Sequence, residues 1–428
     1  KNKKKRKPLI IKGARQVGKT WLMKSFGKSD YKHCAYINFE KKQSLKPLFL
    51  ANINIDNIIS AIQIETSTPV LPNETLIILD EIQAIPEALT ALKYFNEDAP
   101  QYHIIAAGSL LGVSLHSSIS FPVGNVEFCD LMPLNYIEFL DAMGDDSLSA
   151  LLRTQNWDLI HVYKDRFINR LRQYYYLGGM PEVVADFSKN ENPDSARKIQ
   201  EDILKTYELD FSKYPPAHVV PRIRMLWNAV PAQLAKENKK LIFSALKEGG
   251  RAKDFEYALS WLEDSGLIHK ARRVSKPAVP LKSYEDMNAF KLFINDVGLL
   301  SAMNDVLYQN MMYDHSIFSE FKGSLTEQFV IQQLLSSGIS RAYYWSSDKG
   351  KAEIDFIVQH YNKIIPLEAK AEENLKSKSL PVYIEKFNPT VSARVSMSDY
   401  RLRNQVVNIP LYALNFFDEI IKSSTEKI

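Results

Sequence analysis

The sequence has little of several features that would each define a class of protein. Only Cys34 and Cys129 are cysteines, too few for a disulfide framework or for a zinc site built from cysteine alone, so we expect a reducing cytoplasmic environment. No run approaches the roughly 18 consecutive apolar residues of a membrane-spanning helix, so no membrane partner is predicted. The net charge of +4 is too small to imply a nucleic-acid partner by itself.

What is present is typical of a globular chain with an uneven distribution of positive charge. The 428 residues, 45% of them hydrophobic, predict two or three domains. Basic residues crowd the start of the chain, at Lys1, Lys3, Lys4, Lys5, Arg6 and Lys7. Such a run indicates a phosphate-binding arm, a localisation signal or a solvated lead-in to a buried strand. We favour the lead-in, a linker into the next domain, and expect residues to precede Lys1 because the chain does not begin with Met.

A nucleotide-binding loop is predicted directly after this run. The segment 9–11 is typical of a buried strand, and a helix is predicted to begin at Thr20. Between them the chain matches the Walker A pattern with Gly13, Ala14, Arg15, Gln16, Val17, Gly18, Lys19 and Thr20. The glycines let backbone amides face phosphate oxygens at a helix N-terminus. We expect Lys19 to reach the β- and γ-phosphates of ATP and Thr20 to place its hydroxyl on Mg²⁺.

A second motif supplies the acids that such a site needs. The apolar run 76–79 ends in Asp80 and Glu81, as a Walker B strand does. We expect Asp80 to hold Mg²⁺ and Glu81 to orient or deprotonate the attacking water, although two solvated acids at a strand end are the alternative. Further strands are predicted at 33–39, 103–107 and 126–132.

An extra strand between the Walker A and Walker B strands, with a glutamate after the Walker B aspartate, resembles the additional-strand division of P-loop ATPases, which includes the AAA type. This resemblance implies that Ser109, at the tip of the next strand, senses the γ-phosphate, but a serine that caps a loop fits the sequence almost equally well. The Asn-Lys-x-Asp motif that reads guanine is missing, which favours an adenine nucleotide. The arginine that would complete such a site stays open among Arg15, Arg166, Arg170 and Arg172.

The middle of the chain is predicted to be mostly helical. Residues 133–187 are expected to form a small lid behind the nucleotide. Helical stretches near 241–246 and 252–262, a turn at Gly266 and a strand at 267–270 suggest a winged-helix module. Such a module can bind DNA through its second helix. That helix carries Asp254, Glu256, Glu263 and Asp264, which would repel a phosphate backbone, so we favour a structural or protein-contacting module.

The last third holds a second group of charged residues. Alternating strands are predicted at 352–358 and 364–371, and period two puts two pairs on common faces, Glu353 with Asp355 and Glu368 with Lys370. A helix predicted to open at Ser324 precedes these strands and carries Glu327. Ser324-x-x-Glu327 is itself a capping box, which would explain Glu327 without catalysis. Glu-x-Lys on a strand is equally compatible with an exposed ion pair.

This order of elements resembles the PD-(D/E)xK nuclease fold, which has a helix with Glu, a strand with Asp, a strand with Glu-x-Lys, and then a helix and a strand. The resemblance implies that Asp355 and Glu368 would hold Mg²⁺, that Glu327 would assist, and that Lys370 would activate the attacking water. A helix at 378–386 and a strand at 393–396 are predicted to complete the order. Such folds also persist as binding modules without cleavage.

Taken end to end, the chain resembles prokaryotic ATP-binding proteins that join an AAA-type P-loop domain to a C-terminal domain of unknown function with nuclease-like character. The resemblance rests on residues 13–20, 79–83, 107–112, 177–182, 295–299 and 353–356. It implies an α/β fold class. We predict a P-loop parallel sheet with a helical lid at 1–190, a winged-helix-like module at 191–285 and a restriction-endonuclease-like α/β domain at 286–428.

Two functions remain open at this point. The first is a Mg²⁺-dependent ATPase whose nucleotide state controls the C-terminal domain or a protein partner that contacts the middle or C-terminal domain. The second is an ATP-regulated, metal-dependent nuclease acting on DNA. The acidic helix of the middle module favours the first function. The intact set of Asp355, Glu368 and Lys370 keeps the second open.

Overall fold

The computed structural model describes residues 6–50, 53–109, 124–236, 240–313, 319–347, 352–373 and 378–428, without the side chains of 319–321. Most of the basic run (1–5) and residues 110–112 of the motif at 107–112 lie outside the described residues. The chain divides into two compact units. The first comprises Lys1–Met132 and Ser260–Leu267, and the second comprises Pro133–Leu259 and Ile268–Ile428. The predicted boundaries at residues 190 and 285 stay predictions.

The first unit contains a parallel five-stranded sheet. Its strands are β1 (Leu9–Lys12), β2 (His33–Asn38), β3 (Thr75–Asp80), β4 (His103–Gly108) and β5 (Glu127–Asp130). They are arranged in the order β2-β3-β4-β1-β5, and every pair is parallel. The predicted strands are therefore confirmed, and β4 is the extra strand between the Walker A strand and the Walker B strand.

Helices cover this sheet, whose central strands β3 and β4 are apolar on both faces. They are α1 (Lys19–Asp30), α2 (Pro47–Leu50), α3 (Ile55–Thr66) and α4 (Glu87–Asp98), with 3₁₀ turns at Gln43–Leu45 and Ile82–Ala84. All six residues of β3 and of β4 are buried. One core cluster includes Phe39, Leu79 and Phe95, and another includes Met23 and Ile78.

The register brings the carboxyl ends of the strands to one edge of the sheet. Lys12 of β1 lies beside Gly108 of β4 and Asp130 of β5, while Asn38 of β2 lies beside Asp80 of β3. In open α/β sheets, ligands bind in the crevice outside the carboxyl ends of the strands. The Walker A loop, Asp80 and Ser109 all follow or end strands at this edge.

The second unit begins with a long helical stretch. The helices that follow β5 in the sequence are α5 (Tyr136–Ala142), α6 (Asp146–Thr154), α7 (Trp157–Val162), α8 (Lys164–Leu177), α9 (Pro181–Asn190), α10 (Pro193–Lys213), α11 (Val220–Leu234), α12 (Phe243–Leu246) and α13 (Ala252–Asp264). The last of these, α13, crosses the boundary, because its residues from Ser260 belong to the first unit. The local sequence explains where several of these helices begin. Asn135 and Glu138 form a capping box at the start of α5, and proline occupies the first turn of α9 and of α10. The mostly helical prediction for 133–187 is confirmed, whereas a lid role stays a prediction.

An eight-stranded mixed sheet forms the centre of the second unit. Its strands are β6 (Ile268–Val274), β7 (Glu285–Ile294), β8 (Tyr343–Ser346), β9 (Glu353–His360), β10 (Lys363–Ala369), β11 (Ser392–Ser396), β12 (Arg401–Arg403) and β13 (Val406–Pro410), in the order β12-β13-β11-β10-β9-β8-β6-β7. The remaining helices are α14 (Val297–Met303), α15 (Tyr308–Tyr313), α16 (Ser319–Ser336), α17 (Ser379–Phe387) and α18 (Phe417–Lys427), with 3₁₀ turns at Leu281–Tyr284 and Leu411–Phe416.

The elements predicted for the winged helix are present, but their strands continue into this sheet. The helices α12 and α13 precede the antiparallel pair of β6 and β7, and β6 also pairs with β8. Phe255, Ala258, Leu259 and Leu262 are buried, as the helical spacing predicts. The hairpin therefore belongs to a larger sheet, and a winged-helix module stays a prediction.

One local prediction in this unit is wrong. The helix that carries Glu327 begins at Ser319, so Ser324 lies within α16 and does not cap it. The Ser324 hydroxyl instead donates a hydrogen bond of 2.6 Å to the carbonyl oxygen of Leu234. The Ser-x-x-Glu spacing is compatible with a helix interior as well as with a capping box, so the pattern alone did not identify the start.

Candidate functional site

The Walker A residues form a loop between β1 and α1 whose backbone requires glycine. Gly13 has φ 151°, Gln16 has φ 66° and Gly18 has φ 92°. A Cβ atom on Gly13 would lie 2.3 Å from the carbonyl oxygen of Leu131, so a larger residue would displace the backbone. Gly18 caps α1 without a side-chain hydrogen bond. The first amides of the helix are therefore available to an anion rather than to a capping side chain.

Lys19 is buried inside this loop and contacts neutral groups. Its Nζ donates hydrogen bonds of 3.0 Å to the Gly13 carbonyl oxygen and 2.7 Å to the Ala14 carbonyl oxygen. Burial lowers the pKa of Lys19 from its usual 10.5 to about 8, although the charges of Glu81 and Asp80 partly oppose this shift. The ammonium group is thus held beside the first amides of α1, and among the described residues these two hydrogen bonds go to carbonyl oxygens rather than to a carboxylate.

A direct hydrogen bond joins the Walker A motif to the Walker B motif. Thr20 Oγ1 donates to Asp80 Oδ2 over 2.6 Å. Tyr36, on the adjacent strand β2, donates its hydroxyl proton to the same oxygen over 2.9 Å. Burial raises the pKa of Tyr36 to about 12, so this donor stays protonated at neutral pH. Tyr36 was missed by the sequence analysis, because its place two register steps before the Asn38–Asp80 end of the strands is known only from the folded sheet.

Glu81 follows β3 in a left-handed conformation, with φ 52°, that turns the chain away from the sheet. Its Oε2 accepts a hydrogen bond of 2.6 Å from Gln83 Nε2, and its backbone amide donates to Asp80 Oδ1 over 3.1 Å. Burial raises the pKa of the Glu81 carboxyl, an effect that the hydrogen bond from Gln83 partly opposes. A carboxyl group with a raised pKa beside a phosphate-binding loop can accept a proton from water.

The other residues expected at this site have simpler surroundings. Ser109 is buried and directly follows β4, at the same edge of the sheet as the Walker A loop. Arg15 lies close enough to Lys19 for its charge to lower the pKa of that lysine further. Arg166 and Arg170, in the second unit, both contact Asp145, at 3.3 Å and 2.5 Å. Arg172 donates to the carbonyl oxygen of Met312 over 3.4 Å.

In the second unit, two of the predicted nuclease-like residues, Glu327 and Asp355, lie near a lysine that the sequence analysis missed. Lys291 of β7 is completely buried, and its Nζ lies 2.6 Å from Glu353 Oε1 and 3.4 Å from Glu327 Oε2. Burial alone would lower the pKa of Lys291, but the negative charges of Glu327, Glu353 and Asp355 outweigh it and hold that pKa above its usual value. The available signal was a lysine in the otherwise apolar run 290–294.

The remaining predicted residues of this group also have partners. Asp355 Oδ2 accepts a hydrogen bond of 2.9 Å from the amide of Ala369. Lys370 Nζ lies 3.2 Å from Glu368 Oε1, and Arg394 Nε lies 3.6 Å from Glu368 Oε2. Within the described residues, no group of three or more His, Cys, Asp or Glu side chains is arranged to hold a metal ion. The structure therefore pairs these carboxylates with cations and an amide.

Three parts of the chain match known domain families. Residues 5–140 match a family described as AAA domain. Residues 168–310 and 322–414 match two domains of unknown function, DUF8612 and DUF4143. The N-terminal match supports a P-loop AAA-type domain. It agrees with the five-stranded parallel sheet and with the Walker loop at its carboxyl edge.

Comparison with whole proteins adds little to this result. None of the curated proteins compared with the chain matches it. Among solved structures, a Walker-type ATPase of Pyrococcus abyssi is 15% identical, with 70% of this chain and 91% of that chain covered and a TM-score of 0.43. RuvB of Thermotoga maritima is 12% identical, with 64% and 83% covered and a TM-score of 0.29. These scores are too low to carry an argument. Among the described residues, no helix is both long and apolar enough to cross a bilayer.

Proposed function

We propose that this chain is a Mg²⁺-dependent ATPase that hydrolyses ATP at the Walker loop of its first unit. The observation that carries the proposal is the 2.6 Å hydrogen bond between Thr20 and Asp80, with Lys19 buried in the adjoining loop. A hydroxyl and a carboxylate in contact beside a phosphate-binding loop are the groups that hold Mg²⁺ in P-loop enzymes. The match of residues 5–140 to the AAA domain supports the same assignment.

Each residue of the site has a role in this proposal. Gly13–Thr20 would bind the phosphates through backbone amides, and Lys19 would exchange its two carbonyl contacts for the β- and γ-phosphate oxygens. Thr20 and Asp80 would hold Mg²⁺, which neutralises phosphate charge when bound. Glu81 would orient the attacking water and accept its proton. Ser109, at the tip of β4, would contact the γ-phosphate.

We propose further that the nucleotide state controls the C-terminal domain or a protein partner. The support is the composition of the chain, in which the AAA-matched region precedes two further domain matches. The sequence-based alternative, an ATP-regulated DNA nuclease, has no observation in its favour among the described residues, because Glu327 and Glu368 are each paired with a cation. DNA as a partner stays a prediction.

The test compares Lys19→Met with Lys28→Met, which changes an exposed lysine on the same helix. We expect Lys19→Met to lower Mg²⁺-dependent ATP hydrolysis at least about 100-fold, because a charged group that stabilises the transition state is lost. Lys28→Met should keep the wild-type rate. Glu81→Gln should lower kcat about 100-fold or more while the Kd for ATP changes less than threefold, because it removes the proton acceptor and keeps the phosphate contacts.

Phosphate release measured with and without EDTA gives the rates, and calorimetric titration gives the Kd. Hydrolysis that survives Lys19→Met would contradict the nucleotide assignment. The same preparations, incubated with linear and supercoiled DNA and Mg²⁺, test the nuclease alternative. Cleavage that Asp355→Ala abolishes would establish the alternative.

A further inference from the structure

A buried positive charge lies among three acids, two of which, Glu327 and Asp355, belong to the residues that the nuclease resemblance assigns to a metal site. Lys291 extends from β7, while the acids around it come from α16 (Glu327) and β9 (Glu353 and Asp355). The Lys291 side chain has no exposed area, and its ammonium group lies 2.6 Å from a Glu353 oxygen. Its Nζ also lies 5.0 Å from the centre of the Tyr344 ring. A buried ammonium needs negative or π-electron partners because it has lost its water.

The carboxylate oxygens of Glu327, Glu353 and Asp355 are the kind of ligand that a hard divalent cation would require. Mg²⁺ and Mn²⁺ bind carboxylate oxygens and leave little room for another cation in the same shell. Lys291 already contacts two of the carboxylates, Glu353 and Glu327. The third, Asp355, accepts the backbone amide of Ala369, where β9 and β10 separate beyond the pair of Phe356 and Leu367. A metal ion at this position would face the ammonium at close range.

The second acid that the nuclease resemblance assigns to the metal is also compensated. Glu368 lies between Lys370, at 3.2 Å, and Arg394, at 3.6 Å. Arg394 is the register partner of Glu368 on the neighbouring strand, so the sheet itself brings the two charges together. The negative charge that would attract a divalent cation to Asp355 and Glu368 is therefore balanced by side chains of the chain.

We propose that the ammonium group of Lys291 takes the place of a divalent metal ion in the C-terminal part of this chain, so that Glu327, Glu353 and Asp355 form a metal-free charge cluster. We call these four residues the lysine cluster. Lys291 lies in the region that matches DUF8612, and the three acids lie in the region that matches DUF4143. The cluster therefore joins the two matched regions through charge.

The proposal predicts that metal affinity appears when the lysine is removed. The test measures Mn²⁺ binding to the full chain in an Asp80→Asn background, which removes a carboxylate from the nucleotide site. With the lysine cluster intact, we expect no saturable Mn²⁺ binding up to about 1 mM, a concentration at which even weak carboxylate sites bind divalent cations. The Lys291→Met variant, whose side chain is nearly as long, should bind one Mn²⁺ ion at least about tenfold more tightly than the chain with the intact lysine cluster does.

Two controls make the result specific to this position. Lys282→Met changes an exposed lysine just before β7. This variant should bind no more Mn²⁺ than the chain with the intact lysine cluster. Adding Glu353→Gln to Lys291→Met removes one oxygen ligand charge and should weaken the new Mn²⁺ site again. Electron paramagnetic resonance counts unbound Mn²⁺, and thermal unfolding with and without 1 mM Mn²⁺ gives a second readout, because an ion that binds only the folded state raises its Tm.

Two results would overturn the proposal. The first is an intact cluster that binds one Mn²⁺ ion and loses it on Asp355→Asn, because Lys291 and a metal would then coexist. The second is a folded Lys291→Met protein that neither binds Mn²⁺ nor gains Tm from it. If Lys291→Met does not fold, the measurement on the intact cluster and its Asp355→Asn variant still decides the outcome. Because every arm carries Asp80→Asn, failure of the ATPase proposal leaves this test unchanged.

Discussion

Two buried lysines, one in each unit, have opposite electrostatic surroundings. Lys19 contacts the neutral carbonyl oxygens of Gly13 and Ala14, and burial lowers its pKa to about 8. Lys291 lies among Glu327, Glu353 and Asp355, whose charges overcome burial and raise its pKa. Both side chains are at most 6% exposed, so burial alone does not distinguish them.

These surroundings determine which ions each lysine can still bind. A buried ammonium with neutral partners gains a large interaction when an anion arrives, so Lys19 is suited to bind phosphate. A buried ammonium that already has carboxylate partners gains little from another anion and excludes cations. Lys291 is therefore suited to stabilise its surroundings, whereas in the proposed function Lys19 keeps its charge for a ligand. A lysine with a shifted pKa is a candidate functional residue, but the group that causes the shift decides which function is possible.

The largest effect expected from this contrast is on stability. Lys291→Met leaves buried carboxylates without their cation and should lower the free energy of unfolding by about 3 kcal/mol or more. Lys19→Met removes a desolvated charge whose pKa burial lowers, so it should leave that free energy unchanged or raise it at neutral pH. Urea unfolding of the two variants in metal-free buffer, followed by circular dichroism, measures both values.

The double variant Lys291→Met/Glu353→Gln serves as the control for this comparison. It removes the ammonium together with the charge of its nearest partner, so it should recover part of the lost stability. Equal losses for Lys19→Met and Lys291→Met would contradict the distinction between a lysine held for a ligand and a lysine already paired.

The nucleotide site could be predicted from the sequence because its chemistry is concentrated in short segments. The eight residues of Gly13–Thr20 define the loop, and Asp80 with Glu81 directly ends an apolar strand. The positions of the strands were also predicted, since the apolar runs located each strand of the first sheet within a few residues. The contribution of Tyr36 was not predicted, because nothing local indicates which residue of β2 faces the end of β3.

The lysine cluster could not be predicted in the same way. Lys291 is 36 residues from Glu327 along the chain, and the two meet only when β7 and α16 pack together. The strands that carry Asp355 and Glu368 were predicted correctly, but their partners Ala369 and Arg394 depend on sheet register. A short degenerate motif identified the acids and gave no information on the cations that neutralise them.

A second, smaller effect should appear in the pH dependence of nucleotide binding. Phosphate binds the charged form of Lys19, so nucleotide should raise the pKa of this group from about 8. Binding therefore takes up a proton above pH 8, and affinity falls as pH rises through that value. We expect the Kd for ADP to increase about tenfold between pH 7 and pH 9, measured by calorimetric titration in buffers of different ionisation enthalpy.

Lys19→Met provides the control, because its weaker affinity for ADP should be nearly independent of pH over the same range. The pH dependence of folding stability has the opposite sign to the pH dependence of nucleotide affinity. The pKa of Lys19 is lower in the folded chain than its usual 10.5, so its charge costs stability below pH 8 and this cost disappears as pH rises toward 10.5. A Kd for ADP that is constant from pH 7 to pH 9 in the wild type would show that Lys19 does not titrate there.

The last effect, which is confined to limiting Mg²⁺, concerns the hydrogen bonds that hold Asp80. Tyr36→Phe removes the 2.9 Å hydrogen bond to Asp80 Oδ2 and preserves the ring, over which Lys24 Nζ lies at 3.6 Å from the ring centre. A hydrogen bond to a charged group contributes about 1.5 kcal/mol, so kcat/KM should fall roughly tenfold at limiting Mg²⁺. The loss should shrink at saturating Mg²⁺, because the ion itself then orients Asp80. Tyr31→Phe is the matched control, since that hydroxyl contacts Arg6 and His103 instead. A Tyr36→Phe protein with wild-type constants at every Mg²⁺ concentration would mean that Thr20 and the Glu81 amide position the aspartate without Tyr36.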